Sequence, residues 1–324
     1  MPVLGIESSA HTLGVGIVDN GTFLANEKMM FKIKSGIIPM KVADFHARNA
    51  RNVLYKALSK AGLKIKDIDA VGYTKGPGLG PCLRVGQLMA RSIASAYGIP
   101  IYPVNHAVAH IEVTKHLSGF HDPLSIYVSG GNSQILAIEE LPFRHYHVYG
   151  ETFDIGVGNM LDSFARSAKL VPAWGSTVAR VAANGNYIEM PYTVKGMDFS
   201  FTGLLTSAVK LIGKKPIEDI AFSIQETAFS MIVEAAERAL LLNRKRELTV
   251  SGGVAQSSVL QGKLAMMART HDVRFYVAPN EYNADNGAMI ALVAEKMYKS
   301  GLKQSLDQCS IDQKYRIDKV MITW

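Results

Sequence analysis

Glu7-Ser8-Ser9-Ala10-His11-Thr12 lies between the apolar runs Val3-Leu4-Gly5-Ile6 and Leu13-Gly14-Val15-Gly16-Ile17-Val18, and has a counterpart about 120 residues further on. The counterpart is Ser129-Gly130-Gly131-Asn132-Ser133-Gln134, caught between Leu124-Ser125-Ile126-Tyr127-Val128 and Ile135-Leu136-Ala137-Ile138. Small residues in a tight turn let backbone N–H groups and hydroxyls approach an anion closely. One such hairpin reads equally well as a plain turn. Two in matching settings point to two related lobes that share a phosphate-bearing ligand.

The pattern around these turns supports that reading. Asp19-Asn20-Gly21 between apolar runs is a hairpin signal, so residues 3–7, 12–18 and 22–29 read as a three-strand meander. After a loop at Ser35-Gly36, a helix is expected from Pro39 to Gly62, with proline opening and glycine closing it. A strand at 70–74, the loop Lys75-Gly76-Pro77-Gly78-Leu79-Gly80-Pro81, a helix at about 82–97 and a strand at 101–104 continue an α/β alternation. A second meander occupies about 124–150, followed by helices at 156–169, 176–184 and 217–242. Strands at 248–250 and 274–277 and a last helix from near Asn286 to Lys299 complete the plan.

Length and composition set the bounds. A chain of 324 residues with 48% hydrophobic and 19% charged side chains has room for two packed cores and reads as globular, not disordered. No apolar run approaches the roughly 20 residues needed to cross a bilayer, so the expected setting is cytoplasmic, with no membrane partner. Two cysteines, Cys82 and Cys309, cannot form a disulfide framework and fit a reducing compartment. The net charge of +7 favours a polyanionic partner such as tRNA. The basic residues are dispersed (Lys32, Arg48 and Arg51; Lys210, Lys214 and Lys215; Arg244, Lys245 and Arg246), so they fit solvated helix faces as well.

His106 and His110 stand four apart in a helical stretch, which puts both imidazoles on one face. They read either as a metal-ligating pair or as two hydrogen-bonded histidines, and the metal reading needs a third ligand. Asp285 is the best candidate by residue type, and Tyr127 is a candidate fourth. A zinc protease would place its general-base glutamate directly after the first histidine, where this chain has Ala107; Glu112 points in another direction on the helix. Peptide hydrolysis is therefore not expected. Gly252-Gly253-Val254-Ala255 follows an apolar strand and opens a helix, a setting where a purine or phosphate can lie against main chain. Asp154, Gly156, Gly158, Asn159 and Asp162 form a small polar group nearby in sequence, with helix capping as the plain role of Asp154.

Gly5 to Thr12, Gly76 to Arg84, Val104 to His110, Tyr127 to Asn132, Glu151 to Asn159, Gly196 to Leu204, Gln225-Glu226-Thr227 and Asp285 to Ile290, in this order, resemble the universal family of tRNA threonylcarbamoyladenosine synthases. The likeness is to its archaeal and eukaryotic branch, the catalytic subunit of the KEOPS complex. It implies an α/β, two-lobed actin-like or sugar-kinase-like ATPase fold, each lobe built on an RNase H-like mixed sheet. Residues 1-122 plus 293-324 would form the first lobe and 123-292 the second, with the ligand in the interlobe cleft.

The resemblance also implies the chemistry. The threonylcarbamoyl group of threonylcarbamoyl-adenylate would pass to the exocyclic amine of the adenosine next to the anticodon, in tRNAs reading codons that start with A. His106, His110, Tyr127 and Asp285 would hold one divalent metal ion, iron or zinc. Ser129, Gly130, Gly131 and Asn132 would meet the phosphates of the adenine nucleotide (ATP or the adenylate), Asp162 and Gly175 the ribose, and Gly252 and Gly253 the adenine. Glu7 or His11 would assist proton removal from the amine, or would be structural. The implied partners are tRNA, a small atypical kinase-like ATPase, a small dimerising subunit and a small tRNA-binding subunit.

The chain departs from the family pattern in three places, one of them Val259-Leu260-Gln261 where the family usually has Arg-Leu-Arg. The ribose loop, usually Pro-Gly-Gly-Pro with an acidic residue three positions on, reads Ala173-Trp174-Gly175-Ser176 and then Ala179, and Ser257 stands where the family has asparagine. Loss of a carboxylate that accepts from a ribose hydroxyl costs about 1–3 kcal/mol of binding, so weakened or altered nucleotide recognition is expected with the metal and phosphate parts intact. Trp174 would pack against sugar or base, or fill the loop. Two alternatives follow: a scaffold whose nucleotide site has decayed, and an ATP-dependent small-molecule kinase on the same fold.

Overall fold

The computed structural model describes residues 1–32 and 38–324, so the loop expected at Ser35-Gly36 lies outside the described residues. The chain divides into two compact units: Met1–Val113 with Glu139–Tyr146 and Pro279–Trp324, and Thr114–Ile138 with His147–Ala278. The first contains β1 (Pro2–Glu7), β2 (Thr12–Asp19), β3 (Thr22–Met30), α1 (Pro39–Ala61), β4 (Ala70–Gly76), α2 (Gly80–Tyr97), β5 (Ile101–Asn105) and most of α3 (His106–Ser118). The second carries β6 (Leu124–Val128), β7 (Ser133–Glu139), β8 (His145–Glu151), α4 (Val157–Ser167), α5 (Gly175–Ala182), the ribbon β9 (Val194–Lys195) and β10 (Asp198–Phe199), α6 (Thr202–Leu211), α7 (Ile217–Leu242), β11 (Glu247–Ser251), α8 (Ser258–Thr270) and β12 (Arg274–Val277). The chain then returns to the first unit through α9 (Asn280–Asn283) and α10 (Gly287–Lys299).

Each unit is built on a five-stranded mixed sheet, and the two orders match. The first runs β3-β2-β1-β4-β5 and the second β8-β7-β6-β11-β12. In both, the innermost strand of an antiparallel meander pairs in parallel with a strand that arrives after helical crossovers. The duplication inferred from the two Ser/Gly-rich turns is thus a duplication of topology.

Strand alternation explains the glycines of the first sheet. Leu4, Ile6, Leu13, Val15, Ile17, Val71 and Tyr73 point to one face, where they pack with Val53, Ala57 and Leu58 of α1 and Ala90, Ile93 and Ala94 of α2. Their neighbours Gly5, Gly14, Gly16 and Gly72 face α10. A Cβ at Gly16 would stand 2.2 Å from the Ala288 nitrogen, and one at Gly5 2.1 Å from the Ala291 nitrogen. The helix backbone therefore lies directly on the strands. Asn286 caps it, its side chain accepting from Met289 N–H at 3.0 Å.

The expected lobe boundaries, 1-122 plus 293-324 and 123-292, differ from these units. The second sheet ends at β12, and all of α10 packs on β1, β2 and β4, so the return begins at Pro279. The β7–β8 connection also belongs to the first unit, where Tyr146 Oη donates to Glu112 at 2.6 Å and Ile322 N–H to the Arg144 carbonyl at 2.8 Å. The second unit has its own core, with α7 at the centre against α4, α5 and α8. No helix among the described residues is long and apolar enough to cross a membrane.

Candidate metal centre and phosphate-binding turns

In the first unit, β5 turns directly into α3 at Asn105. Its side-chain Oδ1 accepts from Ala107 N–H at 2.9 Å and Val108 N–H at 3.1 Å, capping the helix. His106 is the first helical residue and His110 lies one turn on. Asp285, two residues ahead of α10, reaches the same place: its Oδ1 lies 3.5 Å from His106 Nε2 and 3.3 Å from His110 Nε2. The three donor atoms lie within 4.8 Å of one another. Two ligands about 2.0–2.1 Å from one tetrahedral cation stand about 3.3 Å apart, so this donor set fits a divalent ion with nitrogen and carboxylate ligands.

Behind His106 stands Glu7, with no exposed surface. Its Oε2 lies 2.9 Å from His106 Nδ1 and accepts from Thr74 Oγ1 at 2.8 Å, while Oε1 accepts from Ser9 N–H at 2.5 Å. A carboxylate on Nδ1 fixes the ring's orientation and leaves Nε2 to face a ligand. The electrostatics agree. Burial opposes charge on His106, yet Glu7 and then Asp285 push its pKa up to about 9. Burial also resists ionisation of Glu7 and Asp285, but the imidazoles hold both carboxyls below their usual range. Burial lowers the pKa of His110. Two ionised carboxylates thus flank His106, a setting that favours positive charge between them.

Of the other expected residues here, His11 lies at the end of the β1–β2 turn, partly exposed, its carbonyl accepting from Phe31 N–H at 2.9 Å. Tyr127 is buried on β6 in the second unit. Two contributors carried no role in the sequence reading: Thr74, which completes the Glu7 environment, and Asn105. The position of Asn105 at a strand-to-helix junction was a capping signal.

In the second unit, Ser129 to Asn132 close the β6–β7 hairpin. Ser129 N–H donates to the Asn132 carbonyl at 2.8 Å and Asn132 N–H to Ser129 Oγ at 3.1 Å. The turn also caps α4: Val157 N–H donates to Ser133 Oγ, Gly158 N–H to the Ser129 carbonyl and Asn159 N–H to the Gly130 carbonyl. The first N–H groups of α4 are therefore occupied. Gly130 and Gly131 are exposed, and their N–H groups make no hydrogen bond among the described residues. They are the donors available to an anion.

Gly252 belongs to the same end of the sheet. Its φ is 95°, and a Cβ there would meet the Val128 carbonyl at 2.4 Å, so only glycine lets β11 leave the sheet beside the hairpin turn. Gly253 follows, exposed, and Ser257 precedes α8 with its side chain making no cap bond. Turns at the carboxyl ends of parallel strands are where open α/β sheets bind ligands. Asp162 and Gly175 are also brought together, Gly175 N–H donating to Asp162 Oδ1 at 2.7 Å. Trp174 is 44% exposed, so it does not fill a loop core. Asp154 does cap a helix, but that helix is α6: its carboxylate accepts from Phe201 N–H at 3.0 Å and Thr202 N–H at 2.8 Å.

Residues 21–292 match the family model described as tRNA N6-adenosine threonylcarbamoyltransferase, TsaD. The chain belongs to this family. A relative so named from Thermococcus sibiricus is 46% identical over 328 residues, covering all of both chains, and one from Caldivirga maquilingensis is 46% identical over all of this chain and 98% of its own. A probable bifunctional tRNA threonylcarbamoyladenosine biosynthesis protein from Thermoplasma volcanium is 47% identical, with this chain covering 62% of it. Among solved structures, HypF from T. kodakarensis superposes with a TM-score of 0.62 at 14% identity over 93% of this chain and 48% of its own. The activator of 2-hydroxyisocaproyl-CoA dehydratase from Clostridium difficile gives 0.53 at 16% identity over 94% and 99%. These two likenesses establish the fold. Membership in the transferase family answers the peptidase question raised by the histidine pair: the chain is a transferase.

Proposed function

We propose that the chain transfers a threonylcarbamoyl group from threonylcarbamoyl-adenylate to the N6 amine of the adenosine next to the anticodon in tRNA. The observation that carries this reading is the convergence of His106, His110 and Asp285, with Glu7 behind His106, in a chain whose relatives bear this activity in their names.

In the first unit His106, His110 and Asp285 would hold the metal, and in the second Gly130 and Gly131 offer N–H groups to an adenylate phosphate. When bound, a divalent cation supplies Lewis-acid polarisation of a carbonyl. Around it, Glu7 holds the His106 ring by Nδ1, Asp285 balances the charge, and burial keeps bulk water from competing. Gly130 and Gly131 N–H groups stabilise the phosphate of the leaving AMP. Little acid–base help is required with such a leaving group, so positioning dominates. With every oxygen engaged and no surface exposed, Glu7 serves as the orienter of His106. His11 is the remaining candidate for accepting the amine proton, tested by His11→Ala. Tyr127 as a fourth ligand rests on the resemblance and is tested by Tyr127→Phe.

The reading places the enzyme in the cytoplasm with tRNA and the three small KEOPS-type subunits, the metal being iron or zinc. The +7 charge and the two buried thiols fit that setting. The test is reconstitution with tRNA, threonine, bicarbonate, ATP and the partner proteins, read by mass spectrometry of tRNA nucleosides. Threonylcarbamoyladenosine should form, and His110→Ala and Asp285→Ala should abolish it. Its absence with all partners present contradicts the proposal.

A further inference from the structure

The C-terminal segment of the first unit lies across the root of the metal helix. Asp312 N–H donates to the Lys75 carbonyl at 2.8 Å, Gly78 N–H to the Gln313 carbonyl at 3.3 Å and Gly80 N–H to Gln313 Oε1 at 3.2 Å. Lys75 Nζ sits 4.6 Å from the centre of the Tyr315 ring, a cation–π contact. The segment ends on Asn105, whose Nδ2 donates to the Tyr315 carbonyl at 2.9 Å. The same amide caps α3 through Oδ1. An asparagine amide is planar, so fixing its nitrogen on Tyr315 fixes the oxygen from which the helix starts.

The contacts made by the segment also fall where β4 is irregular. The β4–β5 pairing shifts register between Thr74 and Gly76, opposite Asn105, and a Cβ at Gly76 would lie 1.7 Å from the Asp312 carbonyl oxygen. Thr74, at the start of that irregularity, donates to Glu7, the holder of His106 Nδ1. The segment therefore holds the helix cap directly, and holds Tyr73, Lys75 and Gly76 on either side of the Thr74 that bonds Glu7. It is seated on the core by Cys309 and Ile317, both nearly fully buried.

We propose that Asn105, tethered to the Tyr315 carbonyl, is a positioning residue through which the C-terminal segment sets the affinity of the His106–His110–Asp285 centre for a divalent cation. This rests on the metal reading above. Capping alone needs only an acceptor at position 105, whereas the proposal needs the donor as well.

Asn105→Ser separates the two, because serine is an equally good neutral N-cap but has no amide nitrogen to bond Tyr315. Zinc affinity is measured by chelator competition, alongside cobalt absorption spectra and the melting temperature of the metal-free chain. The expected result is a loss of zinc affinity of about tenfold or more, the size seen when an outer partner of a metal ligand is lost, with an altered cobalt spectrum and a metal-free melting temperature close to the parent's. Tyr315→Leu, which keeps the carbonyl but removes the Lys75 contact, should shift affinity in the same direction and serves if Asn105→Ser does not fold. Parent-like zinc affinity in the folded variants overturns the proposal. Failure of the unaltered chain to take up zinc or cobalt contradicts the metal reading first, and the proposal with it.

Discussion

Glu7 Oε2 lies 2.9 Å from His106 Nδ1, while Asp285 Oδ1 faces Nε2 of the same ring at 3.5 Å. One imidazole is thus held between a carboxylate that orients it and a carboxylate that shares its ligand position. Glu7→Gln keeps an acceptor for the ring but removes the charge that sustains its basicity. Divalent metal affinity should fall about 10–100-fold, measured by chelator competition, with Thr74→Val giving a smaller loss. Unchanged affinity in Glu7→Gln would mean that Glu7 does not support the centre.

The nucleotide prediction follows from Ala179. Restoring an acidic side chain with Ala179→Glu should tighten binding of an ATP analogue by about 1–3 kcal/mol, and calorimetry reads this directly. Asp162→Ala removes the acceptor of Gly175 N–H and should weaken binding. Tight binding unaffected by either change would show that the loop at 173–179 is not the ribose site.

Gly16→Ala tests the packing that places Asp285. The new Cβ would lie 2.2 Å from the Ala288 backbone nitrogen, and neither strand nor helix can yield there by a side-chain rotation. A loss of about 3 kcal/mol in stability is expected, checked by denaturant unfolding, together with weakened metal binding as α10 is displaced.

His46 provides the pH prediction. It is fully buried on α1, and burial pushes its pKa down to about 4 from an ordinary 6.5. Between these values the unfolded chain binds the proton and the folded chain does not. The stability present above pH 6.5 is therefore lost as pH falls toward 4. The loss amounts to at most about 3 kcal/mol from this residue. His46→Leu should flatten the decline in melting temperature between pH 6.5 and 4; an identical decline in both chains would contradict this environment.

Much of this arrangement was legible in the sequence where local chemistry decides it. Asn20-Gly21 fixes a hairpin, Pro39 and Gly62 bracket α1, and the spacing of His106 and His110 puts them on one face wherever the helix packs. Two similar hairpin turns pointed to two related lobes, and the sheets share one strand order. Long-range packing was not legible. A helix from near Asn286 to Lys299 that crosses back to the first lobe was readable as an element, but nothing near Asp285 in sequence announces that its backbone will lie on Gly5, Gly14 and Gly16, so the boundary was drawn at 293 and not 279. Short elements such as β9 and β10 carry too few residues for periodicity to register. The C-terminal segment is held by backbone carbonyls at Ser310 and Tyr315, which every residue type possesses, so its grip on Tyr73 and Asn105 leaves no mark on composition.

Anomalous X-ray diffraction at the zinc edge, on crystals grown with zinc in excess, tests the central claim most directly. The account predicts one strong peak within bonding distance of His106 Nε2, His110 Nε2 and Asp285 Oδ1, and its loss in His110→Ala. No peak at those three atoms, or occupancy unchanged by the substitution, would contradict it.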